Sequence, residues 1–168
     1  SGATLRFADR NADAVTLARD GLDLVLAAGD DRVTVSGWLA NDGIGAGVQR
    51  IEFADGSTWD GSAIRTMLVT GTAADDHLIG FASADPLSGG DGNDWLEGRS
   101  GDDALDGGTG DDLLDGGVGD DLLAGGAQYG DTHVYRSSDG KHLYVRPDAA
   151  TLLIDGNLRT LDEVIRRE

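Results

Sequence analysis

Six aspartates recur every nine residues through the middle of this chain: Asp76, Asp85, Asp94, Asp103, Asp112 and Asp121. Carboxylates held at a fixed spacing repel one another unless a cation lies between them. The chain has no cysteine, and its three histidines have no partner at the spacing of a metal site or a catalytic triad. Hard oxygen ligands alone select calcium or magnesium, and flexible loops with many oxygen donors favour calcium. The spacing therefore predicts a series of Ca2+ sites.

The elements that must position these carboxylates repeat with the same period. Each aspartate lies five residues after a glycine and two residues before a leucine, and the glycines continue to Gly125. The rows follow the pattern Gly-Gly-x-Gly-x-Asp-x-apolar-x, in which the glycines permit tight turns and close approach of a second chain. The apolar residue at position eight points inwards from a minimal strand. One row buries too little apolar surface to fold alone, so the rows must stack as a solenoid with strands about 4.8 Å apart.

The charge of the chain restricts its function. The formal net charge is −18, and residues 71–131 contain fifteen acidic residues but one basic residue, Arg99. Such a surface argues against nucleic acid as a partner, because a nucleic-acid-binding face needs lysine and arginine. A solvated acidic tract is the alternative interpretation, but such a tract has no reason to keep leucine at every ninth position. No segment approaches the length of a transmembrane helix, so we expect no membrane insertion.

The segments on either side of the repeats have a different pattern. Residues 14–59 show short apolar alternations separated by turn residues, which predicts four or five strands, mostly in hairpins, before a short helix near 62–68. Towards the C-terminus we expect strands around 143–145 and 152–154 and a helix over 161–167. The chain is therefore divided into three predicted segments: a β-rich flanking region at 1–70, the repeat block at 71–135 and a C-terminal region at 136–168.

The nonapeptide rows resemble the RTX (repeats-in-toxin) family of secreted bacterial calcium-binding proteins. The resemblance implies an all-β fold, a right-handed parallel β-roll in which two rows form one coil and calcium lies between turns eighteen residues apart. On one edge it implies calcium ligands from Asp76, Asp94 and Asp112, and on the other from Asp85, Asp103 and Asp121. It also implies ligands from the glycine turns, at Gly89, Asp91, Gly98, Ser100, Gly107, Thr109, Gly116 and Val118.

Three departures from the family pattern affect individual sites. The rows that begin at Gly71 and Gly80 lack glycine at positions two and four, so we expect weak or absent calcium sites there. The row after Gly125 carries an insertion, which makes a regular site at Asp131 doubtful. Arg99 replaces a position-two glycine, which we expect to be tolerated only if its φ is negative. Two calcium sites are expected in the central rows, and up to five along the roll.

The N-terminal segment is similar to the haemolysin-type calcium-binding-protein-related domain, a region often found beside RTX repeats. The residues that carry this likeness are 23–26, 31–35 with Trp38, and 51–56 with Trp59. They include no catalytic signature. The resemblance implies a β-rich N-terminal cap for the roll, and the C-terminal segment is expected to form a small cap of strands and a helix.

Together the two resemblances imply a non-catalytic calcium-binding module of a secreted bacterial protein. We expect the roll to fold on calcium binding outside the cell, after export by type I secretion machinery, and the chain to be a monomeric piece of a longer protein. The tail at 152–168 is expected to be either a secretion signal or a cap. Two alternatives use the same residues: an adhesin-like or glycan-binding display module, and an enzyme or processing fragment that uses the bond between Asp85 and Pro86.

Overall fold

The computed structural model describes residues 2–41, 47–126, 130–135, 142–144, 151–154 and 157–159. The chain forms two compact units, Ser1–Leu68 and Val69–Glu168. Most of the regular structure is β-strand, and the one α-helix among the described residues is α1 (Gly61–Leu68). The three-part division made from the sequence, and the capping role of the flanking segments, remain predictions.

The N-terminal unit contains six strands: β1 (Ala3–Arg6), β2 (Thr16–Asp20), β3 (Asp23–Ala28), β4 (Asp31–Val35), β5 (Val48–Glu52) and β6 (Thr58–Asp60). Strands β2, β3 and β4 form an antiparallel meander, and β5 pairs with β6. The predicted hairpins and the short helix are thus confirmed. Strand β1 was not predicted, because its residues are mostly exposed and its parallel partner β5 is distant in sequence. Two 3-10 helices, Ala12–Ala14 and Trp38–Asn41, complete the unit.

The core of the N-terminal unit is a cluster of large apolar side chains. Leu24 and Leu26 of β3, Ile51 of β5 and Ile64 of α1 are almost fully buried. Trp38 is also fully buried, and its indole Nε1–H donates a 2.9 Å hydrogen bond to the carbonyl oxygen of Val48. Burial of apolar surface, with the polar indole nitrogen satisfied, is the usual source of stability for a domain of this kind.

In the second unit, successive nonapeptide rows contribute strands to two parallel sheets in alternation. One sheet contains β7 (His77–Ile79), β9 (Trp95–Glu97), β11 (Leu113–Asp115), β13 (Thr132–Tyr135) and β15 (Thr151–Ile154), with β16 (Asn157–Arg159) antiparallel at its end. The other contains β8 (Pro86–Asp91), β10 (Ala104–Thr109), β12 (Asp121–Gly126) and β14 (His142–Tyr144). Two rows therefore make one coil, which confirms the all-β fold with a parallel β-roll.

The register of the roll follows the repeat. Leucines eighteen residues apart pair across neighbouring strands, Leu78 with Leu96 and Leu96 with Leu114 in one sheet, and Leu87 with Leu105 and Leu105 with Leu123 in the other. All six are buried. Each row thus contributes one leucine to a core that exists only when the rows are stacked.

The last described coil departs from this register. Leu114 pairs with His133, nineteen residues later, and the apolar side chain of Val134 in that row is buried. Strands β14 and β15 lie close to the predicted strands at 143–145 and 152–154, which are confirmed. The predicted helix at 161–167 lies outside the described residues.

Candidate metal sites

The glycine turns place the backbone of each coil directly against the coil before it. Gly90 and Gly108 occupy position two in neighbouring turns of one edge, with φ of 110° and 104°. A Cβ atom on Gly108 would collide with the carbonyl oxygen of Gly90. Glycine alone combines this backbone conformation with so close an approach, so stacking requires it as much as the turn does.

Arg99 contradicts the expectation that its φ would be negative. Its φ is 78°, the one positive value among the described residues other than glycine. The neighbouring coil holds this conformation, because the Val118 N–H donates a 2.7 Å hydrogen bond to the Arg99 carbonyl and Gly117 approaches its backbone closely. The stacked turns therefore override the local preference of the arginine, at a cost of about 1 kcal/mol.

The position-six aspartates form a ladder of hydrogen bonds along each edge of the roll. The first edge contains the turns 71–76, 89–94 and 107–112, and the second contains 80–85, 98–103 and 116–121. In every step, Oδ1 of one aspartate accepts a hydrogen bond from the backbone N–H of the aspartate eighteen residues earlier. The donor–acceptor distances are 2.8 Å for Asp76 to Asp94 and Asp94 to Asp112, and 2.9 Å for Asp85 to Asp103 and Asp103 to Asp121. The structure thus brings together the carboxylates that the repeat pairs, and their role as calcium ligands remains a prediction.

The second carboxylate oxygen of the central aspartates has no partner in the described chain. Asp94, Asp103 and Asp112 are each 2% exposed, and their buried Oδ2 atoms accept no hydrogen bond. Each Oδ2 faces the first glycine of its own row, where an added Cβ would collide with it. A buried carboxylate oxygen left unpaired is costly, whereas a cation beside it would remove that cost. These atoms therefore fit a hard cation.

The two N-terminal rows differ at this atom. Oδ2 of Asp76 accepts hydrogen bonds from the backbone N–H of Thr72 at 2.7 Å and from its hydroxyl at 2.9 Å. Oδ2 of Asp85 accepts a 2.6 Å bond from the N–H of Phe81. Neither Thr72 nor Phe81 has a positive φ, in contrast to Gly90, Arg99, Gly108 and Gly117 at the same position of the central rows. In these two rows the aspartate Oδ2, the atom that would bind a cation in the central rows, already accepts hydrogen bonds from the protein.

Asp131 continues the ladder of the first edge beyond the insertion. It is fully buried, and its Oδ1 accepts a 3.0 Å hydrogen bond from the N–H of Asp112. A Cβ on Gly125 would collide with its Oδ2, as in the regular rows. The carboxylate of this irregular row thus keeps its place although the spacing is nineteen residues rather than eighteen.

Burial perturbs the acidity of the central aspartates. Burial raises the pKa of Asp103 to about 7 and the pKa of Asp112 to about 6, and it also raises the pKa of Asp94. The backbone hydrogen bond to each carboxylate opposes this rise, and neighbouring carboxylates add to it. Without a cation, burial thus favours the protonated form of Asp103 and Asp112 at mildly acidic pH.

A cation at these positions would need backbone oxygens as well as carboxylates. Within the described part of the chain, no three histidine, aspartate or glutamate side chains converge as a metal site. Calcium takes six to eight oxygen ligands and readily uses carbonyl groups. The predicted turn ligands Gly89, Gly98, Gly107 and Gly116 lie beside the position-six carboxylates of their rows. The others, Asp91, Ser100, Thr109 and Val118, pair between coils at position three.

Two of these position-three carbonyls already accept a backbone hydrogen bond. The Thr109 carbonyl accepts a 2.9 Å bond from the N–H of Gly92, and the Val118 carbonyl accepts a 2.9 Å bond from the N–H of Gly101. A carbonyl oxygen has two lone pairs, so this bond still leaves one for a cation. All of the predicted ligands remain predictions.

The sequence reasoning missed one group of polar side chains, at position five of the rows. These side chains form hydrogen bonds between coils on the exposed side of the turns. The signal was present, because aspartate or asparagine stands at position five in five of the six rows. It was overlooked because the prediction of metal ligands rested on the position-six aspartates, which are six of the fifteen acidic residues in the block.

Two family models match segments of this chain. Residues 22–63 match the model of the haemolysin-type calcium-binding-protein-related domain. The model of the RTX calcium-binding nonapeptide repeat, which spans four copies, matches three overlapping segments, 68–96, 79–114 and 97–130. No curated protein matches the chain.

Among solved structures, the chain is similar to the AlgE6R3 subunit of the Azotobacter vinelandii mannuronan C5-epimerase, determined in solution. The two sequences are 33% identical over 43% of this chain and 46% of that one, with a TM-score of 0.38. The match thus spans less than half of the neighbour. In the described part of the chain, no helix has the length and apolar character that crossing a membrane requires.

The family matches agree with the geometry of the turns. The RTX model covers the rows whose buried aspartates form the ladders, and RTX repeats of this type bind Ca2+. The oxygen donors found there suit that ion. Residues 68–130 therefore match the RTX calcium-binding nonapeptide-repeat family, and residues 22–63 match the haemolysin-type calcium-binding-protein-related domain.

Proposed function

We propose that this chain is a non-catalytic module of a secreted protein whose roll folds when calcium binds. One observation carries the proposal: the buried Oδ2 atoms of Asp94, Asp103 and Asp112 accept no hydrogen bond from the described chain. A folded roll without a cation would keep these oxygens dry, unpaired and close to other carboxylates. Calcium supplies the missing positive charge and tolerates the irregular ligand sets that such turns offer.

The free energy available from calcium is large enough to decide whether the roll folds. A site whose free ligand is present at one hundred times its Kd stabilises the folded state by about 2.7 kcal/mol. Two such sites contribute about 5 kcal/mol, which is comparable to the whole stability of a small domain. The proposed switch therefore needs only two filled sites, the number expected for the central rows.

We further propose that the switch serves export. At the low calcium concentration of a bacterial cytosol the roll would be unfolded and able to pass through a type I secretion channel. Outside the cell, where calcium is abundant, the ions would bind and the roll would form. The match to the RTX family supports this proposal, since proteins with these repeats are typically secreted by bacteria.

Two features of the roll argue against the two alternatives, the processing fragment and the glycan-binding module. The carboxylate of Asp85 beside Pro86 is buried and holds the N–H of Phe81, a structural role rather than that of an exposed nucleophile. Trp95, the exposed aromatic residue that a glycan-binding module would use, is stacked on His77 with ring centroids 4.1 Å apart. Because His77 covers one face of the indole, we favour the calcium switch over the display module.

Circular dichroism in chelator, in CaCl2 and in MgCl2 tests the proposal. We expect β-structure to increase strongly with calcium and weakly with magnesium. Asp112→Asn is expected to raise the calcium concentration at half-saturation at least tenfold, because it removes a charge that faces the ion. Asp106→Asn, at an exposed position of β10, serves as the matched control. An equal β signal in chelator and calcium would exclude the switch, and equal responses to both ions would exclude selectivity.

A further inference from the structure

A second set of hydrogen bonds connects the coils on the exposed side of the turns. On the first edge, the N–H of Asn93 donates a 2.9 Å bond to Oδ1 of Asp75, and the N–H of Asp111 donates a 2.8 Å bond to Oδ1 of Asn93. All three residues are exposed and occupy position five of their rows. Asn93 therefore links three successive turns, through its backbone to one and through its side chain to the other.

These outer bonds run in the opposite direction to the buried ladder. At position six, the side chain of the later coil accepts from the backbone of the earlier coil, as when the N–H of Asp94 donates to Asp112 at 2.8 Å. At position five, the side chain of the earlier coil accepts from the backbone of the later coil, as in the bond between Asn93 and Asp111. Adjacent residues in two turns thus exchange hydrogen bonds reciprocally. We call this pair of bonds the inter-turn clasp.

The clasp is complete on the first edge and incomplete on the second. On the second edge, Asp102 accepts a 3.0 Å bond from the N–H of Asp120. One coil earlier, position five is Ala84, whose methyl side chain offers no acceptor to Asp102. That step retains only the buried half of the clasp, from the N–H of Asp85 to Asp103. The first step of the second edge therefore lacks the outer acceptor that the first edge has at Asp75, which provides an internal comparison.

We propose that Asn93 is a positioning residue for calcium binding, resting on the proposed function of the roll. It does not face the buried carboxylate oxygens, so we assign it no role as a ligand. Its side chain connects the turn of Asp94 to the turn of Asp112, and its backbone N–H connects the turn of Asp94 to the turn of Asp76. Turns held at the correct spacing before the ion arrives lose less conformational freedom when it binds, and the affinity is higher for that reason.

The amide of Asn93 suits this place better than a carboxylate. Asp75 and Asp111, at position five of the turns on either side, both carry carboxylates. An aspartate at position 93 would accept the same hydrogen bond, but it would add a third negative charge beside Asp75 and Asp111. These side chains are exposed, so their charges interact weakly. Substitution by aspartate therefore separates the need for an acceptor from the effect of charge.

Calcium titration calorimetry on the full chain tests the proposal with four variants. Asn93→Ala removes the acceptor, Asn93→Asp retains it, Ala84→Asn supplies the acceptor that the second edge lacks, and Asp106→Ala is the exposed control. We expect Asn93→Ala to raise the calcium concentration at half-saturation about fivefold, the equivalent of one hydrogen bond. Asn93→Asp should stay within about twofold of the original chain, and Ala84→Asn should lower the value.

Amide hydrogen exchange in saturating CaCl2 gives a second measurement, which a loss of general stability would not reproduce. In Asn93→Ala the amide of Asp111 should exchange at least tenfold faster, while the amide of Asp112 keeps its protection. If Asn93→Ala matches Asp106→Ala in both measurements, or if Asn93→Asp is as weak as Asn93→Ala, the positioning role is wrong. If the unmodified chain shows no response to calcium, the proposed function has failed instead.

Discussion

The N-terminal unit buries large apolar side chains such as Trp38 and Ile51, whereas the roll buries one leucine in each row with an aspartate two residues before it. In the N-terminal unit, the polar indole nitrogen of Trp38 has a carbonyl partner. In the roll, the buried Oδ2 of Asp112 has none among the described residues. The buried indole nitrogen of the N-terminal unit thus has a protein partner, whereas the buried carboxylate oxygen of the roll is left for an external cation.

This difference shows how two all-β units in one chain can respond differently to the same ion. Apolar burial stabilises a fold by about 25 cal/mol for each Å² of apolar surface, whatever the cation concentration. A buried carboxylate destabilises a fold unless its charge is compensated. The composition of the two interiors thus predicts which unit depends on calcium.

The largest expected effect is the loss of the roll on removal of calcium. In excess chelator, we expect the amides of β9, β10 and β11 to lose protection from hydrogen exchange by a factor of at least one hundred, since each filled site is worth about 2.7 kcal/mol. The amides of β3 should keep their protection. Hydrogen exchange followed by NMR measures both units in one sample. Equal loss in both units would show that their stabilities do not differ in this way.

The next largest effect is on stability: replacing a glycine by alanine should destabilise the roll more than the N-terminal unit. In the roll, Gly107→Ala places a methyl group against Oδ2 of Asp112 and the carbonyl oxygen of Gly125, so we expect a loss of several kcal/mol even in calcium. In the N-terminal unit, Gly21 has a φ of 60° and open space around its missing Cβ. Gly21→Ala should therefore cost only about 1 kcal/mol. Urea unfolding in CaCl2 compares the two variants, and similar losses would contradict the steric account.

Leucine truncations of similar size should differ in their effect on calcium binding. Leu114→Ala and Leu26→Ala each remove a nearly fully buried side chain, and each should cost about 2–5 kcal/mol. Only Leu114→Ala is expected to raise the calcium concentration at half-saturation, because only the roll couples its folding to the ion. A calcium titration monitored by circular dichroism checks this, with Leu26→Ala as the control.

The two units should also respond to pH with opposite signs. Because burial raises the pKa of Asp103 to about 7 and the pKa of Asp112 to about 6, their contribution to the ion-free roll is present below pH 4 and lost between pH 4 and 7. The ion-free roll should therefore gain structure from pH 8 to pH 5. In the N-terminal unit, hydrogen bonds from the Ser57 hydroxyl and N–H lower the pKa of Asp55, so its contribution is lost as the pH falls.

Circular dichroism and hydrogen exchange in chelator, measured from pH 8 to pH 4, test this difference. In calcium the trend for the roll should reverse, because protons compete with the ion for the same carboxylates. An ion-free roll that loses structure on acidification would contradict the raised pKa of its aspartates.

The smallest expected effect concerns Arg99, the described non-glycine residue whose φ is positive. Arg99→Gly should stabilise the calcium-bound roll by about 1 kcal/mol, since its φ of 78° is unfavourable for arginine. Thermal unfolding in CaCl2 measures the gain. Arg99→Ala, which shortens the side chain but keeps the strained backbone, is the control and should give no such gain.

The sequence predicted the roll well because its repeat determines both register and burial. Leucine at every ninth position can be buried only if rows stack, and glycine before each aspartate permits that stacking. The helix near 62–68 and the hairpins of the N-terminal unit also follow from local patterns. Strand β1 could not be read from the sequence, because its pairing with β5 joins distant segments with no local signal.

The position of the buried aspartates and the kind of ion they suit were therefore determined by the sequence alone, through the period, the charge and the absence of cysteine. Only the tertiary structure decided which carboxylate oxygens lack a partner. Asp76 and Asp94 occupy the same position in their rows, yet Oδ2 of Asp76 is satisfied by Thr72 and Oδ2 of Asp94 is not. The two rows also differ in the backbone at position two, where φ is 110° at Gly90 but not positive at Thr72, and stacked coils impose a positive φ even on Arg99.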